Sequence, residues 1–218
     1  TQPAGVTITA ADFTANPTIT PASLVAGAAG AATIGFTTTN PIPADGKLIF
    51  HVPDTFSAVA AGAVAATTGS TGAWTSAVTG TSPFVVTLTR SNDGSEIAAN
   101  TAVVLSMSGF TNQKFEGTSN AFGTVFKTTL NDGTTVIDTA STIPPAVTFT
   151  ATDFAVDPTI TPASLVAGAV GAASISFTTT NPIPADGKLI FHVPDTFFAV
   201  TAGAVSATTG STGAWTSA

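Results

Sequence analysis

Apolar residues recur along this chain at every second position. In "AATIGFTTTN", Ala32, Ile34 and Phe36 alternate with Thr33, Gly35 and Thr37. "GKLIFHVP" puts Leu48, Phe50 and Val52 on one face, and "FVVTLTR" does the same with Phe84, Val86 and Leu88. Val103, Leu105 and Met107 share a face opposite Ser106 and Ser108; Phe126, Thr128 and Leu130 share one opposite Lys127. A period of two in runs rich in Thr, Val, Ile and Phe predicts half-buried β-strands, one face toward a core and the other toward polar surroundings. Turn signals separate the runs: Asp45-Gly46, Asn92-Asp93-Gly94, and Asp132-Gly133, the last predicted to close a two-residue type I′ hairpin. Pro41, Pro43 and Pro53 have no N–H to donate and belong at strand ends or edges. The Ala-rich run from Ala58 to Ala66 has helical propensity, but Gly62, Val59 and Val64 weaken it, and no helix is predicted. About seven to nine short strands per unit predict an all-β, antiparallel, two-sheet sandwich.

The pattern is also repeated. Residues 6–77 align with residues 147–218 without a gap, at an offset of 141, and 61 of the 72 aligned pairs are identical. Periods of about 20–50 residues mark solenoids. A period of 141 is domain-sized and predicts tandem domains. Residues 1–5 then read as a linker, 6–141 as the first repeat, 142–146 as a Pro-rich, semi-rigid linker, and 147–218 as the first half of a second repeat. The other half of the repeat supplies the runs at Phe84, Val103, Val125 and Val136. Without it, Ile175, Phe177, Leu189 and Phe191 are expected to lie open beside unpaired sheet edges. We expect the polypeptide to continue past Ala218 with residues resembling "VTGTSPFVVTLTR"; completion by another chain through strand addition is the alternative.

The succession "ITPASLVAGAAGAATIGFTTTNPIPADGKLIFHVPDTF", "FVVTLTR", "AANTAVVLSMSGFTN" and "GTVFKTTLNDGTTVID" resembles immunoglobulin-like repeats of large secreted or cell-surface proteins, found in bacteria and in microbial eukaryotes such as stramenopile algae. The resemblance covers nearly the whole chain and is loosest over "SAVAAGAVAATTGSTGAWTSA". It implies an immunoglobulin-like sandwich in tandem and an extracellular scaffold, adhesive or filament-forming role. It supplies no catalytic residues.

Composition sharpens this picture at the surface. Charged residues are 8% of the chain, against about 25% in ordinary soluble domains. Thr makes up 43 of 218 residues, and Cys and Tyr are absent. Outward faces built of Thr, Ser, Ala and Gly are expected to pack against neighbours or to carry glycan. The Thr clusters at residues 37–39 and 67–68 are the candidates for O-linked sugar, the plain alternative being β-propensity. A net charge of −7 with one Arg argues against a nucleic-acid partner. No apolar run approaches the ~20 residues of a transmembrane helix.

Candidate chemistry is sparse. His51 and His192 hold equivalent repeat positions, so they fall in separate domains, and each reads as a surface or interface residue rather than a ligand or base. No nucleophile-elbow motif accompanies the serines, so no catalytic residue and no enzyme activity are expected. Asp138, Asp153 and Asp157 flank the linker, where carboxylates can share Ca²⁺, with Asp12 and Asn16 as their counterparts near the start. No other cofactor is expected. Trp74 and its copy Trp215 read as core or interface residues, with sugar stacking as the rival role. Together these features predict a non-enzymatic, extracellular structural protein whose partners are copies of itself or further repeats. An adhesin or carbohydrate-binding stalk module is the alternative.

Overall fold

The computed structural model describes residues 9–195, 197, 200–207, 209–211 and 214–217. Every regular element among them is a β-strand. The chain divides into two compact units, Thr1–Thr152 and Asp153–Ala218.

In the first unit the described strands are β1 (Ala15–Pro21), β2 (Ala29–Thr37), β3 (Lys47–Val52), β4 (Ala58–Val59), β5 (Val64–Thr68), β6 (Trp74–Thr79), β7 (Phe84–Arg90), β8 (Ala102–Thr111), β9 (Gly117–Thr118), β10 (Phe126–Thr129), β11 (Val136–Thr139) and β12 (Thr148–Phe149). The main sheet is antiparallel, in the order β1-β2-β8-β5-β6-β7-β3-β10-β11, with β4 also on β8. Its narrowest link is β5–β6, where Val64 and Trp74 are the paired residues. Just before β1, Ala11 bridges Asp138 of β11 in parallel, so one short stretch of chain ties the two ends of this order together and the sheet curls. Edge strand β1 carries Pro17 and Pro21, which a central strand would not tolerate.

The alternation read from the sequence builds the core. Ala32, Ile34 and Phe36 of β2, Leu48, Phe50 and Val52 of β3, Val86 and Leu88 of β7, and Val103, Leu105 and Met107 of β8 all join one buried cluster. Phe126 sits among Phe13, Phe36 and Phe50 at centroid distances of 5.5–6.0 Å. Phe56 meets Phe110, Phe122 and Phe149 at 5.5–6.1 Å. Such ring pairs add about 0.5–1.5 kcal/mol each beyond their buried area.

Two local expectations are corrected. Leu130 is exposed rather than core-facing: the register shifts between Lys127 and Thr129, Thr128 and Thr129 are both buried, and strict alternation ends there. The Asp132-Gly133 turn is longer than a two-residue hairpin. Leu130 and Thr135 are joined by a backbone bond, and Gly133 has φ 73 while Asp132 is not among the positive-φ residues, so a type I′ pair is excluded. The Asp132 carboxylate shapes the loop instead, accepting the N–H groups of Thr134 and Thr135 and the Thr135 hydroxyl. The Ala-rich run, where no helix was predicted, forms β4 and the start of β5, both paired with β8.

The second unit contains β13 (Val156–Pro162) paired with β14 (Ala173–Thr178). Phe154 packs edge-on against Phe177 at 5.8 Å. Ile175 and Phe191 are 38% and 44% exposed, whereas Phe177 and Leu189 are half-buried. The division between units falls after Thr152, not across residues 142–146 where the sequence placed a linker. Residues 147–152 belong to the first unit although they align with the opening of the repeat. The linker assigned to residues 1–5 and the repeat's start at Val6 lie outside the described residues.

Candidate functional site

The most distinctive site in the first unit is the seam that receives residues 147–152. One wall is β9 with Ser119. Thr148 pairs with Thr118 and Phe149 with Gly117, antiparallel, and the Ser119 N–H donates to the Val147 carbonyl at 2.8 Å. The Ser119 hydroxyl accepts the Val147 N–H at 3.0 Å. The other wall is the loop at residues 24–26. Val25 bridges Thr150 in parallel, with bonds of 2.8 Å from Thr150 N–H to the Leu24 carbonyl and from Ala26 N–H to the Thr150 carbonyl. The segment is therefore hydrogen-bonded on both sides, and Phe149 between the walls is 1% exposed with its ring edge-on to Phe56 at 5.5 Å.

Both walls are held by buried amides. Asn112 donates from Nδ2 to the carbonyls of Ser23 and Val25, each at 2.8 Å. Gln113 donates from Nε2 to the carbonyls of Phe115 and Gly117 at 3.1 and 2.9 Å. Gly117 opposite Phe149 has φ 130, a conformation that side chains rarely adopt. This seam was not anticipated from the sequence. The signal for it was the alternating "VTFT" directly after the Pro-rich stretch, with the bulky Phe149 where the first copy has Ile8.

The residues singled out beforehand go to other places. Asp138 is buried, and its carboxylate accepts the N–H groups of Thr39 and Asn40 at 3.0–3.2 Å and the Asn40 side-chain amide at 2.8 Å. It clamps β11 to the loop after β2, with its oxygens occupied by amides. Its counterpart in calcium sharing, Asp153, accepts the N–H of Phe154 at 2.8 Å, and Asp157 is exposed on β13. Asp12 accepts both the N–H and the hydroxyl of Ser141, and those bonds hold its carboxyl below the ordinary carboxylate pKa. Among the described residues there is no group of three or more His, Cys, Asp or Glu able to hold a metal ion.

Trp74 is 5% exposed, donates from its indole N–H to the Ser70 hydroxyl at 3.0 Å, and lies under Arg90 at 5.8 Å. No free ring face is left for a sugar. Trp215 makes the same local bond to Ser211 at 2.9 Å and is half-buried. His51 is half-buried in β3; burial, then the charge of Lys127, lowers its pKa and favours the neutral ring. His192 is exposed and lies in no strand. Thr38 is fully buried, with its hydroxyl donating to the Ala98 carbonyl at 2.9 Å and accepting the Thr101 N–H at 3.0 Å. A sugar at Thr38 would have to break that arrangement. Thr67 and Thr68 are exposed.

The chain's one arginine was also missed. Arg90 occupies the next core-facing position of β7 after Leu88 and is 3% exposed. It donates to the carbonyls of Ile42, Pro43, Thr71 and Ser95 at 2.5–3.2 Å. Burial lowers its pKa, while Asp93, Asp45 and Glu96 pull it back up. A shallow cavity of about 90 Å³ beside Pro21, Ser23, Gly30, Phe110 and Asn112 has no charged residue in its lining. No described helix is long and apolar enough to cross a membrane. No family model, no curated protein and no solved structure matches this chain.

Proposed function

We propose that this chain is a stretch of a non-enzymatic extracellular structural array, built of tandem immunoglobulin-like sandwiches that form or decorate a filament or cell-surface appendage. The carrying observation is the second near-identical copy, 61 of 72 residues at an offset of 141, since repeating a domain-sized unit gains length and repeats one surface. In this reading β1-β2-β8-β5 and β6-β7-β3-β10-β11 are the two layers, parted at the single β5–β6 pair. The use of polar side chains agrees with it. Arg90, Asp138, Asn112 and Gln113 are buried and bind backbone or neighbouring side-chain groups that fix loops, and of the four Asn112 alone borders the shallow cavity. Of the candidate sugar contacts of the adhesin alternative, Trp74 has its ring covered, whereas Trp215 is half-buried.

Electron microscopy of native material, labelled with an antibody raised against this chain, tests the proposal. Label spaced along a fibre or surface appendage is the expected result. Label confined to a dispersed, unmodified monomer overturns it, as would turnover of a glycoside, ester or peptide that disappears in His51→Ala.

A further inference from the structure

We propose that successive copies are joined by strand donation, the opening strand of each copy filling the seam between β9 and the loop at residues 24–26 of the copy before it. The folded unit is then displaced from the sequence repeat. The strand that fills the seam, residues 147–150, is the opening of the second copy by sequence, and it belongs to the first unit by its contacts. It is bonded to Leu24 and Ala26 on one side and to β9 and Ser119 on the other, and its Phe149 caps the Phe56 ring. The second unit's own first hairpin begins only after Asp153, as the first unit's begins after Asp12.

The first copy opens with the matching sequence, "VTIT" at residues 6–9 against "VTFT" at residues 147–150. The apolar positions are Val6 and Ile8 where the donated strand has Val147 and Phe149, so the same face can enter the same seam. The occupant we assign to residues 6–9 is therefore the seam of another copy of this repeat. The equivalent wall in the second unit carries Leu165 and Val166, 91% and 73% exposed, against 46% and 37% for Leu24 and Val25 beside the donated strand. Strand addition of this kind draws affinity from main-chain hydrogen bonds on both edges and specificity from alternate side chains, here Val147 and Phe149.

The inference rests on the array reading for its setting, but it can fail alone, leaving an array of plainly linked domains. Two experiments on the full chain decide it. First, Phe149→Ile with Thr152→Ala gives the resident strand the sequence that opens the first copy, residues 6–11. The unfolding constant of the first unit, followed by Trp74 fluorescence in a Trp215→Phe background, should rise no more than roughly tenfold. Phe149→Asp should raise it more than about a hundredfold. Equal damage from both overturns the proposal. Second, cysteines replace Thr7 and Thr118, the positions that would lie opposite each other as Thr148 and Thr118 do, with hydroxyls 3.0 Å apart. With the resident strand intact the chain should stay monomeric on oxidation. With Phe149→Asp, refolding at high concentration should give a ladder of disulfide-linked chains, abolished by Ile8→Asp or by excess peptide spanning residues 147–152. No ladder, or a ladder indifferent to Ile8→Asp, overturns it.

Discussion

The same hairpin forms in both copies, and the strand that follows it forms in only one. In β1–β2, Thr18, Ile19, Thr20 and Pro21 pair with Gly35, Ile34, Thr33 and Ala32. In β13–β14, Thr159, Ile160, Thr161 and Pro162 pair with Ser176, Ile175, Ser174 and Ala173, the same register with the same irregularity before it. Their edge-on rings also match, Phe13–Phe36 at 5.6 Å and Phe154–Phe177 at 5.8 Å. Beyond the hairpin the copies part. "KLIFHV" is β3 in the first copy, but residues 188–193 lie in no strand, although the letters are identical. The reason is partner supply. β3 pairs with β7 and β10, which come from the second half of the repeat, and the described residues of the second unit hold no counterpart of either. A hairpin closes a short loop and needs only its own residues, whereas β3 depends on contacts distant in sequence.

The sharpest way to break this comparison is to truncate the same side chain twice. Phe50 is fully buried and Phe191 is 44% exposed. Phe50→Ala should cost the first unit about 3–5 kcal/mol in denaturant unfolding, and Phe191→Ala less than about 1 kcal/mol. Similar costs would mean that the second copy acquires a closed core of its own.

Arg90→Met should cost about 3 kcal/mol, because it takes the guanidinium from four carbonyls, of which Ile42 and Pro43 keep backbone N–H donors from Ile97 and Gly46, and removes the cation over Trp74. Urea unfolding with Trp74 fluorescence in a Trp215→Phe background reads this. A change below about 0.5 kcal/mol would show that water replaces the guanidinium without loss. Asp138→Asn should cost about 1–2 kcal/mol in the same assay, as its charged acceptor is lost to the Thr39 and Asn40 amides.

Two smaller effects depend on pH. Hydrogen bonds from Ser141 depress Asp12 below its ordinary 3.8, so its contribution is complete above that pH and is lost as pH falls through the folded value. Asp12→Ala should flatten the acid limb of the stability curve below about pH 4. Burial depresses His51 below 6.5, so the neutral ring is favoured in the fold and stability declines as pH drops from 6.5 through the lower folded value. His51→Gln should remove that shallower step and leave the Asp12 limb in place. The smallest contrast is optical. A neutral collisional quencher should reach half-buried Trp215 more readily than Trp74, read on the Trp74→Phe and Trp215→Phe chains.

The sequence by itself determined the all-β class, most core-facing positions and the repeat, because alternation and self-identity are written locally. Ile34, Leu48, Phe50, Val86, Leu88, Val103, Leu105 and Met107 are buried as their spacing predicts. Local pattern failed where a residue's role depends on a distant partner. Arg90 reads as the polar end of a strand until the carbonyls of Ile42, Pro43, Thr71 and Ser95 are brought around it. Asp138 and Asp12 read as ligands at a joint until Asn40 and Ser141 meet them across the fold. The assignment of residues 147–152 to the first unit was likewise decided only by tertiary structure. Their letters mark the start of a copy, and hydrogen bonds to Leu24, Ala26 and Ser119 place them in the copy before, because a strand pairs with whichever free edges the fold sets beside it.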